Sequence, residues 1–106
     1  MHSSEKQLVS SFKETLHYLS EHTRDAYQRD LNYLQMYCVK QGIKKWSDLN
    51  GQKLRDFISY RHRKGISGRS LQRNLSSIRA FYRYLLKTDE VSTNPAIGII
   101  TPKTAR

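Results

Sequence analysis

The chain has 106 residues, enough for one domain with a modest core, and its 19 lysines and arginines against nine acidic residues give a formal net charge of +10. This charge indicates an acidic partner, with nucleic acid as the first candidate and an anionic membrane surface as the second. No apolar run approaches the roughly 18 residues of a membrane span, and the N-terminal residues lack the order of a secretory signal. Cys38 has no partner for an internal disulfide, so we expect a cytoplasmic protein.

The first two helices are predicted from apolar residues that recur at helical spacing. Residues 4–17 form the first helix and residues 21–41 the second. Ser20 is placed to cap the second helix, and Gly42 is placed to end it. The side chains expected to face the core are Leu8, Phe12, Leu16, Tyr27, Leu31, Leu34 and Cys38.

The third predicted helix is preceded by a tryptophan and ends in a basic run. We interpret Trp46, in the connection before this helix, as a core residue rather than a stacking platform. Asn50 caps the helix and Gly65 ends it. Its inner side carries Leu54, Phe57, Ile58 and Arg61. The run Arg61–Lys64 suits a solvated helix C-terminus, but it also lies close enough to the next helix to face DNA.

The stretch from Ser67 to Lys87 predicts a fourth helix whose two faces differ in chemistry. Ser67 can cap its first turn. The apolar face consists of Leu71, Leu75, Ile78, Tyr82 and Leu85. The opposite face consists of Arg69, Arg73, Ser76, Ala80, Arg83 and Lys87. Small residues let a helix approach a surface closely, and flanking arginines reach phosphates or base edges, so we expect this face to be offered to nucleic acid.

The remaining residues complete an all-α prediction. Asn94-Pro95-Ala96 predicts a short helical turn, with asparagine as its cap and proline at its first position. The tail beyond it has too little pattern to fold alone, and no strand-type alternation or internal repeat is present. We therefore predict a compact four-helix domain with a short C-terminal helical turn and a linker tail.

Residue patterns that carry catalysis or hold cofactors are missing from the sequence. The four histidines lack metal-ligand spacing, and there is no glycine-rich phosphate loop, nucleophile elbow or carboxylate pair. We therefore expect no metal, no cofactor, no small-molecule ligand and no membrane partner. We interpret the chain as a binding domain rather than an enzyme. A helical protein-interaction module with incidental basic charge is the alternative class.

Three segments resemble the N-terminal domain of the tyrosine recombinases, or phage integrases. Residues 19–34 are similar to that family's opening LS-x-x-T-x-x-x-Y-x-x-DL, and residues 70–85 to its R-x-LSxLRxFYxYL helix. Asn94-Pro95-Ala96, followed by Pro102-Lys103, is similar to its NPA…PK exit toward the catalytic domain. The segments occur in the family's order over nearly the whole chain, and they look most similar to Xer-type recombinases and bacterial phage or integron integrases.

The resemblance implies a SAM-like core-binding domain over residues 1–97 and a linker over 98–106 toward a C-terminal catalytic domain absent from this chain. Helices two and four would face the major groove of a recombination half-site, and other recombinase protomers would be partners beside double-stranded DNA. With Arg83 from the basic face, the expected DNA-binding residues are Thr23, Arg24, Arg69, Ser70, Arg73, Ser76, Arg79 and Arg83.

Some of these expectations have a second interpretation. Arg79 lies toward the apolar edge of its helix, where it could brace a neighbouring helix instead of contacting a phosphate. Thr23 could serve the capping of its own helix. Arg69 and Arg73 are the residues expected to read base edges. Because the family's catalytic residues belong to the missing domain, we expect this chain to bind DNA without cleaving it.

Overall fold

Four α-helices make up most of residues 1–101, the part of the chain that the computed structural model describes. They are α1 (Ser3–Glu14), α2 (Glu21–Lys40), α3 (Gly51–Arg63) and α4 (Gly68–Lys87), with a short 3₁₀ turn at Trp46–Asp48. Among these residues there is no strand, so the predicted all-α, four-helix class is confirmed. None of the described helices combines the length and apolar character needed to cross a membrane.

Side-chain caps begin three of the four helices at the predicted positions. The side-chain oxygens of Ser20, Asn50 and Ser67 each accept a hydrogen bond from the backbone N–H three residues further on. Gly65, which follows α3, has a φ of 88°, a backbone conformation that disfavours side chains with a Cβ. This turn leaves few residues between α3 and α4, so the two helices pack beside each other.

The helix α4 lies at the centre of the fold and contacts each of the other three helices. All five apolar residues predicted for its inner face are buried, and Phe81 is buried with them. In α1 the buried residues are Val9 and Phe12, while Leu8 is only partly buried. The core side of α1 is centred on Val9 and Phe12, so Leu8 packs at its edge. Leu16 is buried as predicted, just after the helix ends.

Trp46 connects the start of α1 to α4 from the interior. Its side chain is 1% exposed, which confirms it as a core residue, and its ring packs edge-on against Phe81 at 5.0 Å between centroids. Its indole Nε1 donates to the backbone oxygen of Glu5, and its backbone N–H donates to a carboxylate oxygen of Glu5, both at 2.8 Å. Its own carbonyl accepts a 2.6 Å hydrogen bond from the hydroxyl of Tyr82. Trp46 therefore holds three parts of the chain together.

The segment after α4 folds back onto the core. The side chain of Asn94 accepts from the backbone N–H of Ala96 at 3.0 Å, so the predicted short helical turn is present as a hydrogen-bonded turn over residues 95–98. Ala96 and Ile99 are both buried. Ile99, which lies in the expected linker over residues 98–106, thus belongs to the core cluster. Pro102-Lys103, the end of the exit motif, lies outside the described residues.

We predict that Tyr82→Phe lowers the free energy of unfolding by about 1 kcal/mol, because the buried carbonyl of Trp46 loses its 2.6 Å hydrogen bond and keeps only the 3.3 Å one from the backbone N–H of Leu49. Urea denaturation measures this change. Tyr18→Phe is the matched control, since Tyr18 is 74% exposed, and it should change stability by less than about 0.5 kcal/mol. Equal effects of the two substitutions would contradict the assigned hydrogen bond.

Candidate nucleic-acid interface

The outward face of α4 carries a row of cations with small residues between them. We call this row the basic stripe: Arg69, Arg73, Ser76, Ala80, Arg83 and Lys87. All of its members are exposed except Ala80, which is partly buried. A 20-residue helix is about 30 Å long, so the stripe extends over several base pairs of a duplex laid against it. The burial pattern agrees with the two faces predicted for this helix.

Four members of the basic stripe are available to a partner. Within residues 1–101, no hydrogen bond or ion pair is made by the side chains of Arg69, Ser76, Arg83 and Lys87. Ser70 has a local role, because its backbone N–H donates to the hydroxyl oxygen of Ser67 and its own hydroxyl accepts from that of Ser67. The exposed guanidinium groups thus lie near each end of α4, with Ser76 between them.

Arg73 differs from the other arginines of the stripe because it is bound to a buried carboxylate. Its Nε donates to Oδ2 of Asp30 at 3.0 Å, and its Nη2 donates to Oδ1 at 2.9 Å. The Asp30 side chain is fully buried, whereas that of Arg73 remains 42% exposed. The hydrogen bonds to Asp30 raise the pKa of Arg73 although desolvation opposes them, so the guanidinium stays protonated.

Asp30 also contacts two buried side chains of α4. Nδ2 of Asn74 donates to Oδ1 at 2.7 Å. The hydroxyl of Ser77 lies 3.3 Å from Oδ2, but its one proton has a closer acceptor in the backbone carbonyl of Asn74 at 2.8 Å. Nε of Arg61, on α3, donates to the amide oxygen of Asn74 at 3.3 Å. We call Asp30, Arg61, Arg73, Asn74 and Ser77 the Asp30 network, which links α2, α3 and α4. Every buried side-chain polar atom in the described part of the chain has a partner.

The sequence prediction did not include the Asp30 network. The sequence nevertheless indicates that Asp30 faces the core, since it lies four residues from both Ala26 and Leu34 on the inner face of α2. Asn74 and Ser77 likewise lie among the apolar residues of α4. A carboxylate on the inner face of one helix, opposite an amide and a hydroxyl on the inner face of another, indicates a buried polar cluster.

Arg79 holds the C-terminal segment against α4. Its Nε donates to the carbonyl of Ala96 at 3.2 Å, and its Nη2 donates to the carbonyl of Ile99 at 2.9 Å. In return, the side-chain amide of Asn94 donates to the backbone carbonyl of Arg79 at 3.3 Å. The guanidinium therefore braces the returning chain, and not a neighbouring helix as one interpretation of the sequence had it.

Thr23 and Arg24, the two DNA-binding residues expected on α2, both make hydrogen bonds to residues close to them in the chain. Thr23 belongs to the cap, since its hydroxyl accepts from that of Ser20 at 2.9 Å. Nη1 of Arg24 lies 3.4 Å from the carbonyl oxygen of His17 and 3.3 Å from that of Leu19, beyond the end of α1. Arg24 thus lines a groove between α1 and α2 that also contains Lys13. It is not part of the basic stripe of α4.

The basic run at the end of α3 divides into two parts. Arg61 is buried in the Asp30 network, and its guanidinium lies 4.0 Å from the ring centre of Tyr33. His62, Arg63 and Lys64 are exposed at the helix C-terminus, where cations are favourable. The run therefore has one structural member and three exposed ones, and both interpretations of the exposed members are compatible with this geometry.

The fold and the exposed stripe define a small all-helical domain with a surface suited to an anionic partner. A family model described as "Phage integrase, N-terminal SAM-like domain" matches residues 9–89. Among curated relatives, the tyrosine recombinase XerC of Stutzerimonas stutzeri (strain A1501) is 47% identical over 88 residues. That of Xylella fastidiosa (strain 9a5c) is 40% identical over 103 residues. The chain belongs to the phage integrase N-terminal SAM-like domain family, as its resemblance to the tyrosine recombinases predicted.

The match covers most of this chain but a minor part of each relative. The alignments include 83% and 94% of the chain, and 29% and 35% of the two relatives respectively. The chain thus corresponds to about a third of the length of these recombinases. No solved structure gives a significant match.

We predict that Asp30→Asn lowers the free energy of unfolding by about 2–4 kcal/mol, because it removes the charge that Arg73 faces and one of the two oxygens that accept from Arg73 and Asn74. Chemical denaturation measures this loss. Asp25→Asn is the control, since that carboxylate is exposed and its 3.7 Å pair with Lys13 is a surface one. A loss no larger than that of the control would exclude a supporting role for Asp30.

Replacing Arg79 should loosen the C-terminal segment without unfolding the helices. In Arg79→Ala the carbonyls of Ala96 and Ile99 lose the guanidinium that holds them, and the Ala96 carbonyl keeps only its 3.4 Å hydrogen bond from the N–H of Ile99. The amide protons of these two residues should therefore exchange with solvent faster, on the order of tenfold. Hydrogen exchange followed by NMR measures this directly. Arg83→Ala, on the exposed face of the same helix, should leave both amides unchanged.

Proposed function

We propose that this chain is the DNA-binding domain of a tyrosine-type site-specific recombinase. It grips a recombination half-site with α4 and α2 in the major groove, and it has no catalytic residue of its own. The observation that carries the proposal is the exposed basic stripe on α4, in a chain that belongs to the phage integrase family. The relatives' name, tyrosine recombinase, supports strand breakage and rejoining as the activity of a longer parent protein.

The charge distribution of α4 supports a nucleic-acid partner over a generally solvated surface. The helix contains five basic residues and no acidic residue. Solvated helix faces commonly alternate positive and negative side chains. A face that carries only positive charges produces an electrostatic field that attracts a polyanion. The acid that contacts this helix, Asp30, is paired with Arg73, whereas Arg69 and Arg83 have no acidic partner within residues 1–101.

Other recombinase protomers are a second class of partner, and one surface supports it. Met36 is 64% exposed and Val39 54% exposed, and both line a groove between α2 and α3 with Tyr33. Exposed apolar side chains gathered in a groove are typical of protein-contact surfaces. If the domain were a helical interaction module alone, this groove and not the basic stripe would carry binding, and binding would be insensitive to salt.

The decisive experiment measures duplex DNA binding across a salt series, for the chain and for the double variant Arg69→Ala, Arg83→Ala. The logarithm of the affinity of the chain should fall linearly with the logarithm of salt concentration, by about 0.9 per phosphate neutralised. The double variant should bind more weakly, with a slope shallower by about 0.9 for each phosphate that it no longer neutralises. Neither side chain has a partner within residues 1–101, so the fold should be retained.

The matched control is Lys44→Ala, Lys45→Ala, which removes the same net charge. Both lysines are exposed in the connection leading to Trp46, which packs against Phe81 on the buried side of α4. This variant should keep the salt slope of the unaltered chain. If the two double variants weaken binding equally, the attraction comes from net charge alone and the basic stripe is not the interface. Absence of salt-dependent binding would favour the interaction module.

A further inference from the structure

Arg73 presents a free edge to solvent because Asp30 holds the other edge. A guanidinium carries five N–H donors in one plane. The Nε and Nη2 groups of Arg73 each give one donor to Asp30, which leaves the two protons of Nη1 and the second of Nη2. Nη1 makes no hydrogen bond within residues 1–101. Since the carboxylate is fully buried and the arginine side chain is 42% exposed, the three remaining donors lie on the outward side.

The ion pair makes Arg73 a weak attractor of phosphate but a well-ordered hydrogen-bond donor. The buried carboxylate offsets most of the guanidinium charge at any distance beyond the pair. Long-range attraction to a polyanion therefore comes from arginines without such a partner, as Arg69 and Arg83 are within residues 1–101. The ion pair does not weaken the hydrogen bonds that the remaining N–H groups of Arg73 can donate at short range. It also holds the Arg73 side chain in one rotamer, so binding does not have to order it.

The position of Arg73 suits contact with a base edge. It lies one helical turn from both Arg69 and Ser76, with Ala80 further along the stripe. Serine and alanine leave room for the backbone of α4 to enter a groove closely, and Arg69 can take the phosphate beside it. Two parallel N–H donors match the O6 and N7 acceptors that guanine presents in the major groove.

We propose that Arg73 is a specificity-determining residue that reads a guanine through the edge of its guanidinium opposite Asp30, with Asp30 as its positioning residue. Arg69 and Arg83 supply the sequence-independent contacts to phosphate. This division of labour rests on the proposed DNA-binding function, and it adds which arginine carries sequence information and why.

The test is selection of bound sequences from a random duplex DNA library with the chain and with Arg73→Lys. Lysine keeps the positive charge against Asp30 but has no second edge of donors. The chain should enrich a guanine at one position, and Arg73→Lys should reduce that preference on the order of tenfold. The slope of the logarithm of affinity against the logarithm of salt concentration should be the same for Arg73→Lys as for the unaltered chain. The reason is that a side chain neutralised by Asp30 contributes little to counterion release. Arg69→Lys is the control, since it should keep the guanine preference.

Asp30→Asn tests the positioning role with a readout that reduced stability alone would not produce. Without the carboxylate charge, Arg73 becomes free to attract phosphate, so the salt slope should steepen by about 0.9 while the guanine preference falls. Urea denaturation gives the folded fraction of each variant, and Arg73→Lys provides the test if Asp30→Asn does not fold.

Two outcomes would overturn the inference and leave the DNA-binding function intact. The first is salt-dependent binding with no guanine preference in the unaltered chain. The second is the same guanine preference in the chain and in Arg73→Lys. Failure of the chain to bind duplex DNA at low salt would instead overturn the proposed function, and this inference with it.

Discussion

The buried carboxylate of Asp30 is the constraint on which the helix arrangement depends. A fully desolvated charge is costly unless it is paired and hydrogen-bonded, and Arg73 and Asn74 both donate to it from one helix. These donors fix the rotation of α4 against α2, because a turn of α4 in either direction would leave the carboxylate short of partners. Arg61 extends the constraint to α3 through Asn74. Apolar packing alone tolerates small rotations, whereas this set of hydrogen bonds accepts one arrangement.

Fixing the rotation of α4 also fixes what the domain presents to its surroundings. The apolar residues of this helix fill the core, so the opposite side of the same cylinder must face outward with Arg69, Ser76 and Arg83. One helix is therefore both the centre of the fold and the carrier of the basic stripe. Arg73 stands at the boundary between the two roles, with one edge in the core and one in solvent. The polar network that specifies the fold thereby orients the surface that would meet DNA.

Local sequence signals predicted the helices well and predicted the side-chain partners poorly. Ser20, Asn50 and Ser67 cap the helices as expected, because a cap depends on residues three positions away. The burial of Trp46 also followed from its setting among apolar segments. The partners of Arg73 and Arg79 did not, because Asp30 and Ile99 lie 43 and 20 residues away along the chain. Helical spacing gives the face on which a cation lies, but only tertiary structure gives the acceptor it finds.

The contacts of Arg79 connect the helix that carries the basic stripe to the C-terminal part of the described chain. Its guanidinium binds the returning segment at two carbonyls, while its own carbonyl accepts from Asn94, so the path of the chain leaving the domain is tied to α4. This segment begins with Asn94-Pro95-Ala96, the first part of the motif that resembles the exit toward a catalytic domain. If α4 lies on a duplex as proposed, the same contacts orient residues 94–99 relative to that duplex.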